Sequence, residues 1–443
     1  MQFVQPVRLG HEPALTIAEI TVLSSSFKVY TRGTVFLMKI KRSTMLFSVI
    51  SALYIGSIGT LLVASLREHR FMTERVLVQS GFANTLLMVY LLLAVGYTLL
   101  VFSKFTITSK TAVACAAIVT VLALGAWPII SLDAASYLTA VKNIVVYGVN
   151  PMREAFSAVP QNPWSASIAM VHWYVFPVPY GPIFFLLILP LGAIFHLVVA
   201  VYGLKLLVAL AWFVVVYLIW KKLFLAEKNG RRLLLILLNP LVVLFLLVDA
   251  HNEVFLLLFT LLGLLSINAG KLGRGYGALL LGVLTKVSGV VMWPIGWFEK
   301  GTLRIRRVVW SVFIGGGLFL GINYFFGHTV ASFQTSYSVM GGNCLYICSP
   351  MVLHLSHLHI PLLLSASVLW IYVMWRYLYS GWEPFRFAVW SYLILFGVAT
   401  TWFAPWYLIT PAVLALTIND RKYTILAWLV TFIGLLVAAT GLA

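Results

Sequence analysis

TAVACAAIVTVLALGAWPIISLDAASYLTAVKNIVVYGVNPM, residues 111–152, joins the two features on which the fold and the chemistry turn. Residues 111–130 carry no charged side chain, and a run of about 20 apolar residues spans the hydrocarbon core of a bilayer. Asp133 follows at once, ahead of an amphipathic segment and the turn Gly148-Val149-Asn150-Pro151. A carboxylate placed where a membrane helix ends can stay ionised near water while facing a lipid-borne reactant. Asp also commonly caps a following helix, and the spacing alone supports both roles.

The rest of the chain agrees with a membrane setting. Of 443 residues, 62% are hydrophobic and 9% charged, against roughly 25% charged in a soluble domain; mean hydropathy is +1.00. An open sheet would leave unpaired backbone groups in lipid. The expected fold class is therefore all-α, a polytopic transmembrane helical bundle of about 10–13 membrane helices, some broken or re-entrant. The net charge of +18 would suggest nucleic acid in a soluble protein. Here Lys and Arg sit mostly in short loops between apolar runs. Cytoplasmic retention and contact with anionic lipid headgroups account for them, so membrane lipids and not nucleic acid are the expected partners.

Residues 1–42 read as an N-terminal cytoplasmic segment. Met38-Lys39-Ile40-Lys41-Arg42 has the form of a start followed by a basic region, which would make 1–37 an upstream extension. Residues 43–443 read as a single polytopic membrane domain with a catalytic outer loop at 131–164. Following the cations from loop to loop puts the N-terminus in the cytoplasm. Spans at 43–66, 84–103 and 111–130 bring Asp133 to the outer face. The proline-rich region 164–204 requires one broken or re-entrant helix beginning near Tyr180, and a run at 204–220 follows. The run 233–248 carries the segment 249–253 outward, and 254–267 returns. In the run 275–298, Lys286 lies at the centre. A full crossing would put Lys300, Arg304, Arg306 and Arg307 outside, so a re-entrant hairpin with Lys286 near its tip is expected. Runs at 308–326, 361–379, 387–401, 408–418 and 423–441 complete the bundle. Cys115 falls inside a span. Cys344 and Cys348 share an outer loop, where a disulfide and free thiols are both open.

Only twelve acids are present, so candidates for acid–base chemistry are few. The outward face collects Asp133, residues 249–253 and Trp402 to Tyr407. Lys286 reaches toward it, and Tyr180 joins through the broken helix. Asp133 can act as general base on an acceptor hydroxyl. His251 can bind phosphate or orient the acceptor, or be a buried histidine bonded to backbone. Asn252 and Glu253 can hold sugar hydroxyls or cap a helix. Lys286 can neutralise a phosphate leaving group or pair with Asp249. Trp402, Trp406 and Tyr407 can stack on a sugar or a polyprenyl tail; composition alone favours an interfacial aromatic belt. No zinc-type cluster is present.

At these residues the chain resembles the GT-C glycosyltransferases, and most of all the bacterial polyprenyl-phosphate-mannose-dependent mannosyltransferases. The likeness lies in Asp133 after an early span, Tyr137, and Gly148-x-Asn150-Pro151. It continues in Tyr180-Gly181-Pro182 (Tyr-Pro-Pro in the family), then Asn239-Pro240-Leu241 with His251-Asn252-Glu253 (His-Asn-Asp in the family). Thr285-Lys286 with Pro294, and Trp402-x-x-Pro405-Trp406-Tyr407, complete it over roughly residues 125–418. The resemblance implies inverting transfer of a single sugar, mannose or another hexose, from a polyprenyl-phosphate donor to a lipid or glycan acceptor at the outer face. Asp133 would be the base. Tyr137, Asn150, Tyr180, His251, Asn252, Glu253, Lys286, Trp402, Trp406 and Tyr407 would bind substrate. Ala135 stands where an Asp-x-Asp pair would complete a metal site, so no metal and no cofactor beyond the donor are expected. The alternative is a transporter or flippase of a lipid-linked or small polar solute, which would also use broken helices and mid-membrane charge.

Overall fold

The computed structural model describes residues 43–67, 82–168, 172–221, 230–299, 302–327, 359–400 and 403–440. Trp402, Cys344, Cys348 and the segment 1–42 lie outside the described residues. The chain divides into two units, Met1–Val49 and Ile50–Ala443. Of the first, residues 43–49 are described and are helical.

In chain order the helices are α1 (Ser43–Arg67), α2 (Phe82–Phe102), α3 (Ser109–Gly125) and α4 (Asp133–Tyr147). Next come α5 (Pro182–Ile188), drawn on by tight turns to Ala193, and α6 (Leu197–Ile219). A short α7 (Arg231–Leu237) leads into widened turns at Val242–Val248. Then follow α8 (Glu253–Asn268), α9 (Leu272–Thr285) and a 3-10 segment, Val287–Gly296. A minimal antiparallel hairpin pairs Phe298 with Leu303 and Glu299 with Thr302. The chain closes with α10 (Ile305–Phe325), α11 (His359–Tyr379), α12 (Pro384–Ala399), α13 (Pro405–Thr417) and α14 (Arg421–Thr440). Among the described residues, α1, α2, α6, α10, α11 and α14 are long and apolar enough to cross a membrane, and α7 with 242–248 counts as a seventh if taken as one bent span. Shorter apolar helices fill the space between them. This is an all-α polytopic membrane fold.

The helix ends follow local chemistry. Thr108 caps α3 by accepting from Thr111 N at 3.2 Å. Pro182 and Pro384 open α5 and α12, where the missing N–H costs nothing. Gly148 ends α4 at φ 65°, a left-handed conformation that glycine adopts without a Cβ penalty. The run 111–130 is helical only to Gly125, because Pro128 disfavours helix at Trp127. The released backbone finds other partners: Trp127 N donates to Ser65 Oγ at 2.9 Å, and Ile129 and Ile130 donate to Asp249 Oδ1 at 3.0 Å each.

Two breaks shape the core. Pro240 interrupts the 231–248 run with a bend of 52°, as an internal proline must. Asn239 stabilises the break, donating to Tyr97 Oη at 3.2 Å and Thr431 Oγ1 at 2.8 Å and accepting from Leu241 N at 3.0 Å. Residues 241–248 are apolar on all sides and buried without exception, as expected of such a segment, and the burial continues through the mostly polar segment 249–253. The second break is at Lys286, whose backbone is extended (φ −151°, ψ 123°). There the chain folds back. Tyr276 of α9 meets Trp293 with ring centroids 5.4 Å apart, and Gly289 returns beside the backbone of Val283. The expected hairpin with Lys286 near its tip is thus present as a fold; α6 begins at Leu197, seven residues before the expected start at Leu204.

Candidate active site

Four separate segments bring ionisable groups to one buried place. The first is the start of α4. Asp133 lies in its first turn while Leu132 occupies the cap position with no side-chain hydrogen bond, so Asp133 is not the cap. The residue is only 7% exposed, and Oδ2 accepts from Tyr137 Oη at 3.1 Å and Tyr180 Oη at 3.3 Å. Tyr137 is one helical turn on, the spacing at which side chains share a face.

Tyr180 arrives from the start of α5. Gly181 N donates to Thr285 O at 3.0 Å, and a Cβ at 181 would strike the carbonyl of Leu284. The departure from Tyr-Pro-Pro to Tyr-Gly-Pro is thus spatial: glycine lets the chain lie directly on the end of α9.

The third segment is the turn between the bent helix and α8. Ala250 has φ 58°, unusual for a residue with a Cβ, and this turn presents His251. The imidazole is fully buried, with Nδ1 3.3 Å from Asp133 Oδ2 and Nε2 3.7 Å from Asp249 Oδ2. Ser131 Oγ lies 3.0 Å from Nε2. Nδ1 has no aligned hydrogen bond, so its relation to Asp133 is that of an ion pair at contact range. Burial alone would lower the pKa of His251, but Asp133 and Asp249 outweigh it and raise the value to about 9. The same burial would raise the pKa of Asp133, and its contact with His251 reverses that, leaving it below the usual carboxylate range. An imidazolium facing an ionised Asp133 is the resting state at neutral pH.

The fourth segment is the Lys286 hairpin tip. Lys286 Nζ pairs with Glu253 Oε1 and sits 4.0 Å above the ring of Tyr407. Asp249 is not its partner; Asp249 is engaged with Ile129, Ile130 and His251. Trp406 stacks on His251 with centroids 4.0 Å apart and planes 22° from parallel. Trp406 is buried, so it is no interfacial belt residue. Asn252 is buried, and neither its Nδ2 nor its Oδ1 bonds to a described residue.

Of the residues the sequence singles out, Asp133, Tyr137, Tyr180, His251, Glu253, Lys286, Trp406 and Tyr407 therefore join in one contact network, and Asn252 lies within the same turn. Asn150 does not join it. Its Nδ2 donates to Phe326 O and its Oδ1 accepts from Met152 N at 3.0 Å, which folds the turn after α4. Beside it lies an apolar cavity of about 190 Å³, bordered by Met152, Phe185 and Phe326. Sequence reasoning misses Ser131 and Lys205, and of its two readings of Lys286 the pairing with Asp249 is not formed. A lone lysine inside the apolar run 197–219 was the available signal for Lys205.

A family model described as alpha-(1->6)-mannopyranosyltransferase, N-terminal domain, matches residues 45–299. The chain belongs to this family. It is a mannosyltransferase, and so a glycosyltransferase and an integral membrane protein; membership decides against the transporter or flippase. The matched stretch holds the residues from Asp133 through Lys286, whereas Trp406 and Tyr407 lie beyond it. No curated protein and no solved structure matches the chain.

Proposed function

We propose that this mannosyltransferase catalyses inverting transfer of one mannose from a polyprenyl-phosphate donor to a lipid or glycan acceptor at the outer membrane face, with Asp133 as general base. The observation that carries the proposal is the state of Asp133: a buried carboxylate kept ionised by His251, with two phenols fixing Oδ2. In the reaction, the acceptor oxygen attacks the sugar's anomeric carbon and its proton passes to the free valence of the Asp133 carboxylate. The bond from that carbon to the phosphate oxygen breaks, the electron pair leaves with the polyprenyl phosphate, and configuration inverts.

Lys286 neutralises the phosphate as its charge grows, with Tyr407 beneath the ammonium and Glu253 holding it between turnovers. Asn252 offers a buried amide without a partner, suited to a sugar hydroxyl, because a polar group buried unpaired is costly until a substrate satisfies it. Trp406 keeps His251 flat against Asp133. Tyr137 and Tyr180 position the base. Lys286 and His251 supply the positive charge, so the reaction takes no metal or other cofactor. Asn150 shapes the loop and touches substrate only if the apolar cavity beside it is occupied.

The test is donor choice by purified protein in proteoliposomes containing EDTA and a membrane lipid extract. Mannose should pass to a lipid-extractable or glycan product from polyprenyl-phosphate mannose and not from nucleotide-linked mannose. Transfer from the nucleotide donor alone would overturn the proposal.

A further inference from the structure

Lys205 is a buried cation that the reaction above does not use. It lies within α6, 1% exposed, where a charge must be paired or solvated. Its Nζ donates to Ala123 O at 3.0 Å, Ala126 O at 2.6 Å and Val248 O at 2.6 Å. Three carbonyl acceptors match the three donors of an ammonium; a neutral amine would turn its lone pair toward one of them. The three carbonyls therefore form a seat shaped for an ammonium group.

The three carbonyls belong to two chain ends. Ala123 and Ala126 close α3, and Val248 closes the widened turns before Asp249. Helix C-termini carry unsatisfied carbonyls and partial negative charge, so a cation there is favourable twice over. Immediately beyond these ends, Asp249 bridges the same two strands of chain. Its Oδ1 accepts from Ile129 and Ile130, four and three residues before Asp133, and its Oδ2 faces His251. Lys205 and Asp249 thus tie the same two chain ends together, one through carbonyls and one through amides.

We propose that Lys205 is a positioning residue for mannosyl transfer, fixing the end of α3 against the 248–251 turn so that Asp249 sets the separation of His251 and Asp133. This rests on the reading of Asp133 as base. Lys205 touches no substrate; it acts only through Asp249 and the two chain ends.

The test is a double-mutant cycle of Lys205→Met and Asp249→Asn in proteoliposomes, with polyprenyl-phosphate mannose as donor. Misplacement of a reacting group costs on the order of 100-fold in rate, so each single variant should lose about that much in kcat while the donor KM changes less than about two-fold. The double variant should fall no further than the worse single one, since groups that act through one another are non-additive. Losses that multiply, or unchanged kcat in Lys205→Met, would overturn the inference. If Lys205→Met fails to purify as a monodisperse protein, the double variant is compared with Asp249→Asn alone. Equal kcat supports the proposal, and a further loss of about 100-fold, the multiplication expected of an independent role, contradicts it. Asp133→Asn is assayed alongside: if it retains transfer, the base reading fails, whereas an additive cycle with Asp133→Asn inactive removes only the role of Lys205.

Discussion

Raising the pH should loosen this protein through one side chain. His251 is fully buried and its pKa is raised from 6.5 to about 9 by Asp133 and Asp249. A group whose folded-state pKa lies above its unfolded value stabilises the fold fully below the unfolded value, and that stability is lost as pH rises through the folded one. The displacement from 6.5 to about 9 corresponds to roughly 3 kcal/mol. Most of it should be present near pH 7 and gone near pH 10. Asp133, shifted downward, has the opposite window: its contribution is present above the ordinary carboxylate range and lost as pH falls. Both shifts come from one contact, so the two are not summed. The assay is thermal unfolding in detergent at both pH values, comparing wild type with His251→Gln, which cannot titrate. Wild type should be the more stable near neutrality, and the gap should close in alkali. A gap of equal size at both pH values would refute the imidazolium–carboxylate pair.

Lys286→Met should cut kcat by at least about 100-fold, and it should also destabilise the protein by roughly 3 kcal/mol, because buried Glu253 loses its lysine and keeps only His251 Nδ1 at 3.9 Å; steady-state kinetics and thermal unfolding read the two effects, and a fully active variant would exclude Lys286 from the site. Gly181→Ala should displace Tyr180, since the new Cβ meets the rigid backbone of Leu284; a drop in unfolding temperature with loss of transfer is expected, and wild-type behaviour would show that this contact yields freely. Ala250→Gly should stabilise by up to about 1 kcal/mol, because glycine removes the cost of φ 58°; a less stable variant would mean that the entropy lost by glycine exceeds the strain relieved.

Much of the fold is legible in the sequence for a simple reason. Apolar runs without charge must become membrane helices, and Pro182, Pro240 and Gly148 mark where they start, bend and stop. The Lys286 hairpin is legible because a mid-run cation and a basic loop after it cannot both be accommodated by a straight crossing. What the sequence does not carry is long-range partnership. Asp249 satisfying Ile129 and Ile130 is a contact across about 120 positions, and no local pattern distinguishes it from the pairing with Lys286. Glu253 takes that lysine because α8 begins under the hairpin tip. Trp406 looks like a belt residue by composition; only packing places it on His251. Asn150 has the motif spacing of a binding residue, yet its amide is consumed by the turn that it builds.

The most direct test of the central claim is a single-turnover measurement of mannosyl transfer from polyprenyl-phosphate mannose by wild type and Asp133→Asn in the same proteoliposomes. Asn keeps the shape and accepts from Tyr137 and Tyr180 but cannot take the proton. Donor binding should be unchanged, the fold kept but less stable for want of the His251–Asp133 pair, and the rate lower by about 10²–10⁴-fold. A rate within a few-fold of wild type would contradict Asp133 as the base.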